Sequence, residues 1–166
     1  MKSEERVVVI VDLENACGGS AFVPIHQRQV YEIVRRLHMG SPPLIVYSTG
    51  PLALQKSPNL LWEWGAARFV HGFGLDGADL ALVRVMREEP IASRSNRVYL
   101  VSGDHAFTEP VEELSRQGIP TTVVANPQRL SRRLSVVADE VRWLPDFEIV
   151  DIAQSGITPV NLRGAA

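Results

Sequence analysis

Three aspartates stand where a chain of alternating strands and helices can build a reactive site. Asp12 ends the hydrophobic run VVVIVD, Asp104 ends the run RVYLVSGD, and Asp79 lies on the apolar stripe of the helical pattern DLALVRVM. If the three carboxylates converge, each pair about 4 Å apart repels by roughly 4 kcal/mol at an effective dielectric constant of about 20. A hard divalent cation such as Mg²⁺ or Mn²⁺ would neutralise them, and protonation of one acid is the alternative.

Each aspartate also has a simpler interpretation. An aspartate at the end of a strand is often a turn former or a helix N-cap, which holds for Asp12 and Asp104 taken singly. Asp79 could cap its own helix, with the turn Asp76–Gly77 in front of it. Glu14 is expected to point away from Asp12 if the strand continues. A shared chemical role therefore depends on the three side chains lying together.

Four short apolar runs predict the strands that would position these acids. Residues 6–12, 43–48 and 97–104 are rich in valine and lack polar alternation, which is typical of strands covered on both faces. Residues 120–124 form a weaker fourth run. Helical patterns lie between them at residues 30–37, 51–64, 82–86 and 107–114. The first is expected to stop near Gly40, the third at Pro90 and the fourth at Gly118.

This alternation predicts a doubly wound, Rossmann-like α/β fold with a mostly parallel sheet and helices on both faces. Ligands of such sheets bind outside the carboxyl ends of the strands, where the winding direction switches. Asp12 and Asp104 are expected at that edge, and the helix of Asp79 is expected to pack over it. The first strand lacks the D-x-D of phosphatases, and we expect the chain to have no G-x-G-x-x-G phosphate loop, which disfavours those classes.

Length and composition bound the function further. The 166 residues, 45% of them hydrophobic, can form one domain, expected at 1–145, with a tail at 146–166 and a possible edge strand around Phe147 to Ile152. A formal charge of −2 gives no general attraction for nucleic acid or an anionic membrane, so any such partner must be held locally. The single Cys17 excludes an internal disulfide and a cysteine-based zinc site. We expect a cytoplasmic protein without a membrane segment.

The acidic stretches resemble the NYN domains of the PIN-like ribonuclease superfamily. The shared motifs are VVVIVDLEN, a strand ending in D-x-x-N; DGADLALV, a helical aspartate before apolar residues; and VYLVSGDHAF, a strand ending in a form of S-G-D-x-D-F. Their order and spacing match across about residues 6–143. The resemblance implies a PIN-like fold and a metal-dependent endoribonuclease, which hydrolyses RNA with Mg²⁺ or Mn²⁺ bound by Asp12, Asp79 and Asp104.

Further residues take roles from the same resemblance. It implies that the Asn15 amide holds a water on the metal or a phosphate oxygen, and that Ser102 is a supporting hydroxyl. Ala106 stands where the family commonly has a second acid, so the site has one negative charge fewer. We expect it to bind metal more weakly, and either one ion or two remain compatible with it. His105, beside this gap, either contacts a phosphate or shuttles a proton, or is a solvent-facing residue without a role.

Basic residues indicate where RNA would lie. Arg132 and Arg133 follow Arg129 at helical spacing, which predicts either a ridge for phosphate contacts or a solvated helix face. A homo-oligomer or a protein partner that selects the substrate is also compatible with a chain of this length. Because Ala106 removes a family acid, a catalytically weakened module that binds RNA or a protein without turnover is the alternative function.

Aromatic residues supply candidates for stacking on unpaired bases. Phe73 lies between two glycines ahead of Asp79 and is the better candidate. Trp62 and Trp64 are more typical of core residues in a chain of this size.

Overall fold

Six strands form an all-parallel sheet in a computed structural model of the chain, which describes residues 5–19, 24–147 and 162–163. The strands are β1 (Val7–Asp12), β2 (Leu44–Ser48), β3 (Arg68–Phe69), β4 (Arg97–Val101), β5 (Thr121–Ala125) and β6 (Glu140–Trp143), in the spatial order β3-β2-β1-β4-β5-β6. The chain winds from β1 outward to β3 on one side and from β4 outward to β6 on the other. The winding direction therefore switches between β1 and β4, which confirms the predicted doubly wound α/β fold.

Helices connect the strands and cover both faces of the sheet. They are α1 (Leu13–Ala16), α2 (Pro24–Arg35), α3 (Pro51–Lys56), α4 (Leu60–Glu63), α5 (Gly77–Glu88), α6 (Ile91–Arg94), α7 (Thr108–Arg116) and α8 (Arg132–Val137). Val9 of β1 shares a core with Val30 of α2, and Ile10 of β1 shares a second core with Leu82 of α5. Successive residues of a strand point to opposite faces, so a strand covered on both sides requires the unbroken apolar run that β1 has.

The end of β4 differs from the sequence prediction. The strand ends at Val101 and not at Asp104. The Ser102 hydroxyl accepts the backbone N–H of Asp104 (3.1 Å), and the Asp104 carboxylate accepts the N–H of Ala106 (2.8 Å). These two local bonds turn the chain into a short 3-10 helix at His105–Phe107.

Two other predictions fail for local reasons. The single helix at residues 51–64 is wrong, because α3 and α4 are separate helices and the intervening Pro58 has no N–H to continue the first. The strands β3 and β6 were not predicted, because β3 has two residues and the edge strand β6 exposes Glu140 and Arg142.

The remaining predicted helices are confirmed, and α7 ends before Gly118, whose φ of +76° gives the left-handed turn that glycine favours. Of the possible edge strand at Phe147 to Ile152, residues 148–152 lie outside the described residues. Asp146–Phe147 (β7) pairs antiparallel with Leu162–Arg163 (β8). Within the described part of the chain, no helix has the length and apolar composition needed to cross a bilayer.

Leu82 and Leu80 test how α5 is anchored to the sheet. Leu82 is fully buried, whereas Leu80 on the same helix is 59% exposed. Leu82→Ala should lower the free energy of unfolding by about 2–5 kcal/mol, because it leaves a cavity against β1 and β2. The matched control Leu80→Ala should change it by less than about 0.5 kcal/mol in urea denaturation. Similar losses in the two variants would contradict the placement of this helix.

Candidate active site

Asp12 is a buried carboxylate held from two sides. It is the last residue of β1 and is 3% exposed. Its Oδ1 accepts the backbone N–H of Asn15 (3.2 Å), and its Oδ2 accepts the hydroxyl of Ser102 (2.8 Å). Asp12 therefore caps α1, which is the simpler role expected of an aspartate at the end of a strand. It is also held by Ser102, in the loop that follows the neighbouring strand β4.

Asp79 meets Asp12 from the helix that packs over the sheet edge. It is the third residue of α5 and is half-buried, and its carboxyl group lies within hydrogen-bonding reach of that of Asp12. Burial is the largest cause of its raised pKa, about 7, and the charges of Asp12, Asp104 and Asp76 contribute further. Burial also raises the pKa of Asp12 to about 6, although hydrogen bonds from Ser102 and Asn15 oppose this rise.

These contacts indicate a proton shared between Asp12 and Asp79. Two carboxyl groups can hydrogen-bond to each other only when one of them is protonated. The raised pKa values keep such a proton bound close to neutral pH. The repulsion expected from the sequence is therefore present, and the raised pKa values favour its relief by protonation of one acid.

Asp104 lies close enough for its charge to raise the pKa of both other acids. Ser102 connects it to Asp12, because the one hydroxyl donates to Asp12 and accepts from the Asp104 N–H. Asp104 Oδ1 also caps the turn at Ala106 and lies 3.3 Å from Nδ1 of His105, an exposed ring. The three predicted acids thus come from three separate segments to one edge of the sheet.

Asn15 joins α1 to the loop that follows β4. Its side-chain Oδ1 accepts the backbone N–H of Gly103 (2.9 Å), and its own N–H donates to Asp12. Because the carbonyl oxygen of this amide is already engaged, the group that Asn15 can offer a ligand is its NH₂, a donor. That chemistry suits a phosphate oxygen or a water.

A cation is not required to explain the contacts among the acids. In residues 5–19, 24–147 and 162–163, no group of three or more Asp, Glu, His or Cys side chains is arranged to hold a metal ion. Nor does any arginine or lysine in these ranges form an ion pair with Asp12, Asp79 or Asp104. A divalent ion that entered this site would have to displace the shared proton.

Two clefts flank the acids, and they differ in charge. One, of about 290 Å³, has the carboxylates of Glu14, Asp76 and Asp79 in its lining, together with apolar Leu52 and Leu75. The other, of about 450 Å³, is lined by polar groups that include Asn15, Asp104, His105, Gln128 and Arg129. The acids therefore separate an acidic cleft from one that carries a cation.

Glu14 was expected to point away from Asp12 if the strand continued, and this condition is not met. The strand does not continue past Asp12, because Asp12 caps α1 and places Glu14 in the first turn of that helix. The charge of Glu14 then contributes to the raised pKa of Asp12. The D-x-E spacing of Asp12 and Glu14 was the sequence signal for this proximity. It becomes informative only when Asp12 is known to cap a helix.

The predicted arginine ridge is also wrong in part. Arg132 and Arg133 begin α8 and are exposed, but Arg129 lies in the preceding turn, Pro127–Arg129, and not on the helix. Arg129 lines the polar cleft beside the acids.

One of the two tryptophans expected in the core is exposed. Trp64 is buried as predicted, but Trp62 is 87% exposed. Phe73 is 82% exposed and stands edge-on to the ring of His71, with 4.4 Å between the ring centroids. Phe73 is thus accessible in the loop that leads to α5.

The expectation that the chain has no G-x-G-x-x-G pattern is wrong. GFGLDG, residues 72–77, has the G-x-G-x-x-G spacing and connects β3 to α5. In dinucleotide-binding folds this pattern follows the first strand at the switch point and presents a helix N-terminus to phosphate. Here it follows an edge strand, and Asp76 and Asp79 place negative charge at the helix N-terminus, which opposes phosphate binding.

Comparison with known proteins adds one finding. No protein-family model matches the chain, and no curated protein matches it. The crystal structure of a protein of unknown function from Vibrio parahaemolyticus matches with a TM-score of 0.63 and 20% sequence identity, covering 88% of this chain and 96% of that one. The two chains share a fold. At this identity the likeness carries no information about chemistry.

The shared proton makes stability depend on pH. Asp12 and Asp79 have folded-state pKa values of about 6 and about 7, above the ordinary 3.8. Between about pH 4 and pH 7 the folded protein holds protons that the unfolded chain has released, so its stability falls as pH rises through this window. Asp79→Asn removes one charge, so we expect it to raise the melting temperature at pH 8 without divalent ions and to change it little at pH 5.

Glu88→Gln is the matched control for this measurement. It removes one carboxylate at the exposed C-terminal end of the same helix. We expect no difference between its effects at pH 5 and pH 8. If Asp79→Asn likewise shifted the melting temperature equally at both pH values, the two acids would not share a proton.

Proposed function

We propose that this protein is a metal-dependent endoribonuclease of the NYN type, hydrolysing RNA phosphodiester bonds at the sheet edge between β1 and β4. The observation that carries the proposal is the convergence of three acids, with Asp12 and Asp79 within hydrogen-bonding reach of each other and Asp104 close enough for its charge to act on both. Buried carboxylates gathered from distant segments contribute nothing to folding that apolar residues would not supply better. Such a costly arrangement is typical of functional sites.

The chemistry of the donors suits a hard divalent cation, although the acids of the described residues are not spaced as a metal-binding group before an ion enters. Asp12, Asp79 and Asp104 offer carboxylate oxygens, the ligands that Mg²⁺ and Mn²⁺ prefer. These three residues would hold the ion, and its charge would replace the shared proton. When bound, the cation supplies Lewis acidity that activates water and neutralises the charge developing on the phosphate.

The surrounding residues have separate tasks in this proposal. Ser102 keeps the Asp12 carboxylate oriented through the 2.8 Å hydrogen bond. Asn15 directs its NH₂ group toward a phosphate oxygen, since its carbonyl is engaged by Gly103. Phe73 provides an exposed ring on which an unpaired base stacks. RNA as the substrate rests on the resemblance of the three acidic motifs to NYN domains.

The proposal also includes a cytoplasmic location and a partner that selects the substrate. Cys17 is the single cysteine of the chain and is buried. Burial raises the pKa of its thiol, so it remains an unreactive core residue suited to a reducing compartment.

Cleavage with and without a divalent ion tests the function. Purified protein should cut a varied RNA pool with Mn²⁺ or Mg²⁺ and leave it intact in EDTA. Asp104→Asn should lower the rate by at least about 100-fold, because it removes one negative charge from the ion's ligands. An asparagine oxygen can still accept the Ala106 N–H, so the fold should survive. Glu88→Gln, far along α5, should cleave at the wild-type rate.

Two results would contradict hydrolysis at this site. In the first, wild-type protein leaves the RNA pool intact with either ion. In the second, RNA is bound without cleavage and Asp104→Asn makes no difference. The second result would favour the module without turnover, for which Ala106 in place of the family's second acid is the supporting observation.

A further inference from the structure

Two glycines make room for Arg129 at the candidate active site. A Cβ atom on Gly103, in the loop after β4, would overlap the carbonyl oxygen of Arg129. A Cβ atom on Gly19, in the loop after α1, would overlap its guanidinium nitrogens. The loop after β4 and the loop after α1 therefore both approach the same arginine.

The backbone around Arg129 is fixed by its own hydrogen bonds. The Arg129 N–H donates to the carbonyl of Asn126 (3.0 Å), and the Gln128 N–H donates to the side chain of Asn126 (2.9 Å). Ser131 then ties the turn to the acid-bearing loop, because its N–H donates to the carbonyl of Gly103 (2.8 Å). The guanidinium thus extends from a defined turn.

Arg129 also differs from other arginines in its charge environment. Nine arginines of the described chain form ion pairs with glutamates: Arg28, Arg35, Arg36, Arg68, Arg84, Arg87, Arg94, Arg97 and Arg142. Within the same residues, no carboxylate oxygen forms an ion pair with Arg129. Its guanidinium is therefore available to an anion from outside the chain.

The cleft that Arg129 lines suits a phosphodiester. It has a volume of about 450 Å³ and brings the guanidinium together with the amide groups of Asn15 and Gln128, with Asp104 at the same wall. The planar guanidinium matches the spacing of phosphate oxygens, and amides donate to the same group. Arg132 and Arg133 do not line this cleft.

We propose that Arg129 binds a backbone phosphate of an RNA strand beside the acid cluster and so positions the strand for cleavage. This inference rests on the proposed function, because it takes the acids as the reacting centre. With a net charge of −2, the molecule needs a local cation to hold RNA against three carboxylates. Arg129 supplies that charge at the cleft.

RNA binding measured apart from cleavage tests this role. The probe is a fluorescently labelled single-stranded RNA of mixed sequence, followed by anisotropy over a range of salt concentrations, in EDTA and with Ca²⁺. Arg129→Gln should weaken binding about tenfold and reduce the salt dependence of log K by about 0.7, the loss of one phosphate contact. Arg129→Lys should bind with an affinity between those of the wild type and Arg129→Gln, because lysine keeps the positive charge but lacks the planar guanidinium that donates two parallel hydrogen bonds.

Arg116→Gln is the matched charge control. Arg116 is exposed at the C-terminal end of α7, where it donates to the carbonyl of Glu112, at the opposite edge of the sheet. The Arg116→Gln substitution removes the same charge as Arg129→Gln. It should leave both the affinity for RNA and its salt dependence unchanged.

Two glycine variants test the geometry without changing charge. Gly18 and Gly19 both have positive φ, +96° and +74°, so alanine strains either position. A Cβ on Gly18 meets nothing within 4 Å, whereas one on Gly19 displaces the Arg129 guanidinium. Gly19→Ala should therefore weaken RNA binding by most of the factor seen in Arg129→Gln. The double variant Gly19→Ala/Arg129→Gln should bind RNA no more weakly than Arg129→Gln alone. Gly18→Ala should bind like wild type.

The outcomes separate this inference from the nuclease proposal. Equal affinity and salt dependence in wild type and Arg129→Gln, or equal losses in Arg129→Gln and Arg116→Gln, overturn the role of Arg129. Wild-type protein that binds no RNA even at low salt overturns it as well. Arg129-dependent binding without cleavage in Mn²⁺ supports the role while contradicting hydrolysis.

Discussion

The structure depends on one unfavourable contact, the approach of three carboxylates at the end of a buried strand. Asp12 is almost fully buried, and Asp79 and Asp104 face it from a helix and from a neighbouring loop. Ionised together, these groups would oppose folding, and the raised pKa values of Asp12 and Asp79 favour a proton held between them. A site that must retain a proton near neutral pH is also one that a dipositive ion can enter with a gain in free energy, because the ion removes the same repulsion more completely.

The topology of the sheet makes this contact unavoidable. β1 and β4 are adjacent and parallel, and the chain leaves them in opposite directions, so their carboxyl ends form the open crevice. Ser102 and Asn15 then link the two loops by hydrogen bonds, which fixes the acids relative to one another. The same loops close on Arg129, so the anionic and cationic parts of the cleft share one framework.

The central elements were predictable from local sequence, and the site's finer geometry was not. β1 and β4 are covered on both faces, so their valine-rich runs are diagnostic, whereas the short β3 and the exposed β6 have no such signal. The three acids could be expected at one edge because strand ends and a helix start define their positions. The position of Glu14 depended on whether the strand continues, and a single hydrogen bond from the Asn15 N–H to the Asp12 side chain decides where the strand stops. Arg129 was assigned to a helix because its spacing fits one, but contact with Gly103, distant in sequence, holds it in a turn.

Anomalous scattering from crystals grown with Mn²⁺ tests the central claim most directly. The account predicts an anomalous peak bound by oxygens of Asp12, Asp79 and Asp104, with the hydrogen bond between Asp12 and Asp79 broken. It also predicts the peak to be absent in the Asp104→Asn protein under the same conditions. A wild-type crystal in which Asp12 and Asp79 remain hydrogen-bonded, with no Mn²⁺ among the three carboxylates, would contradict it.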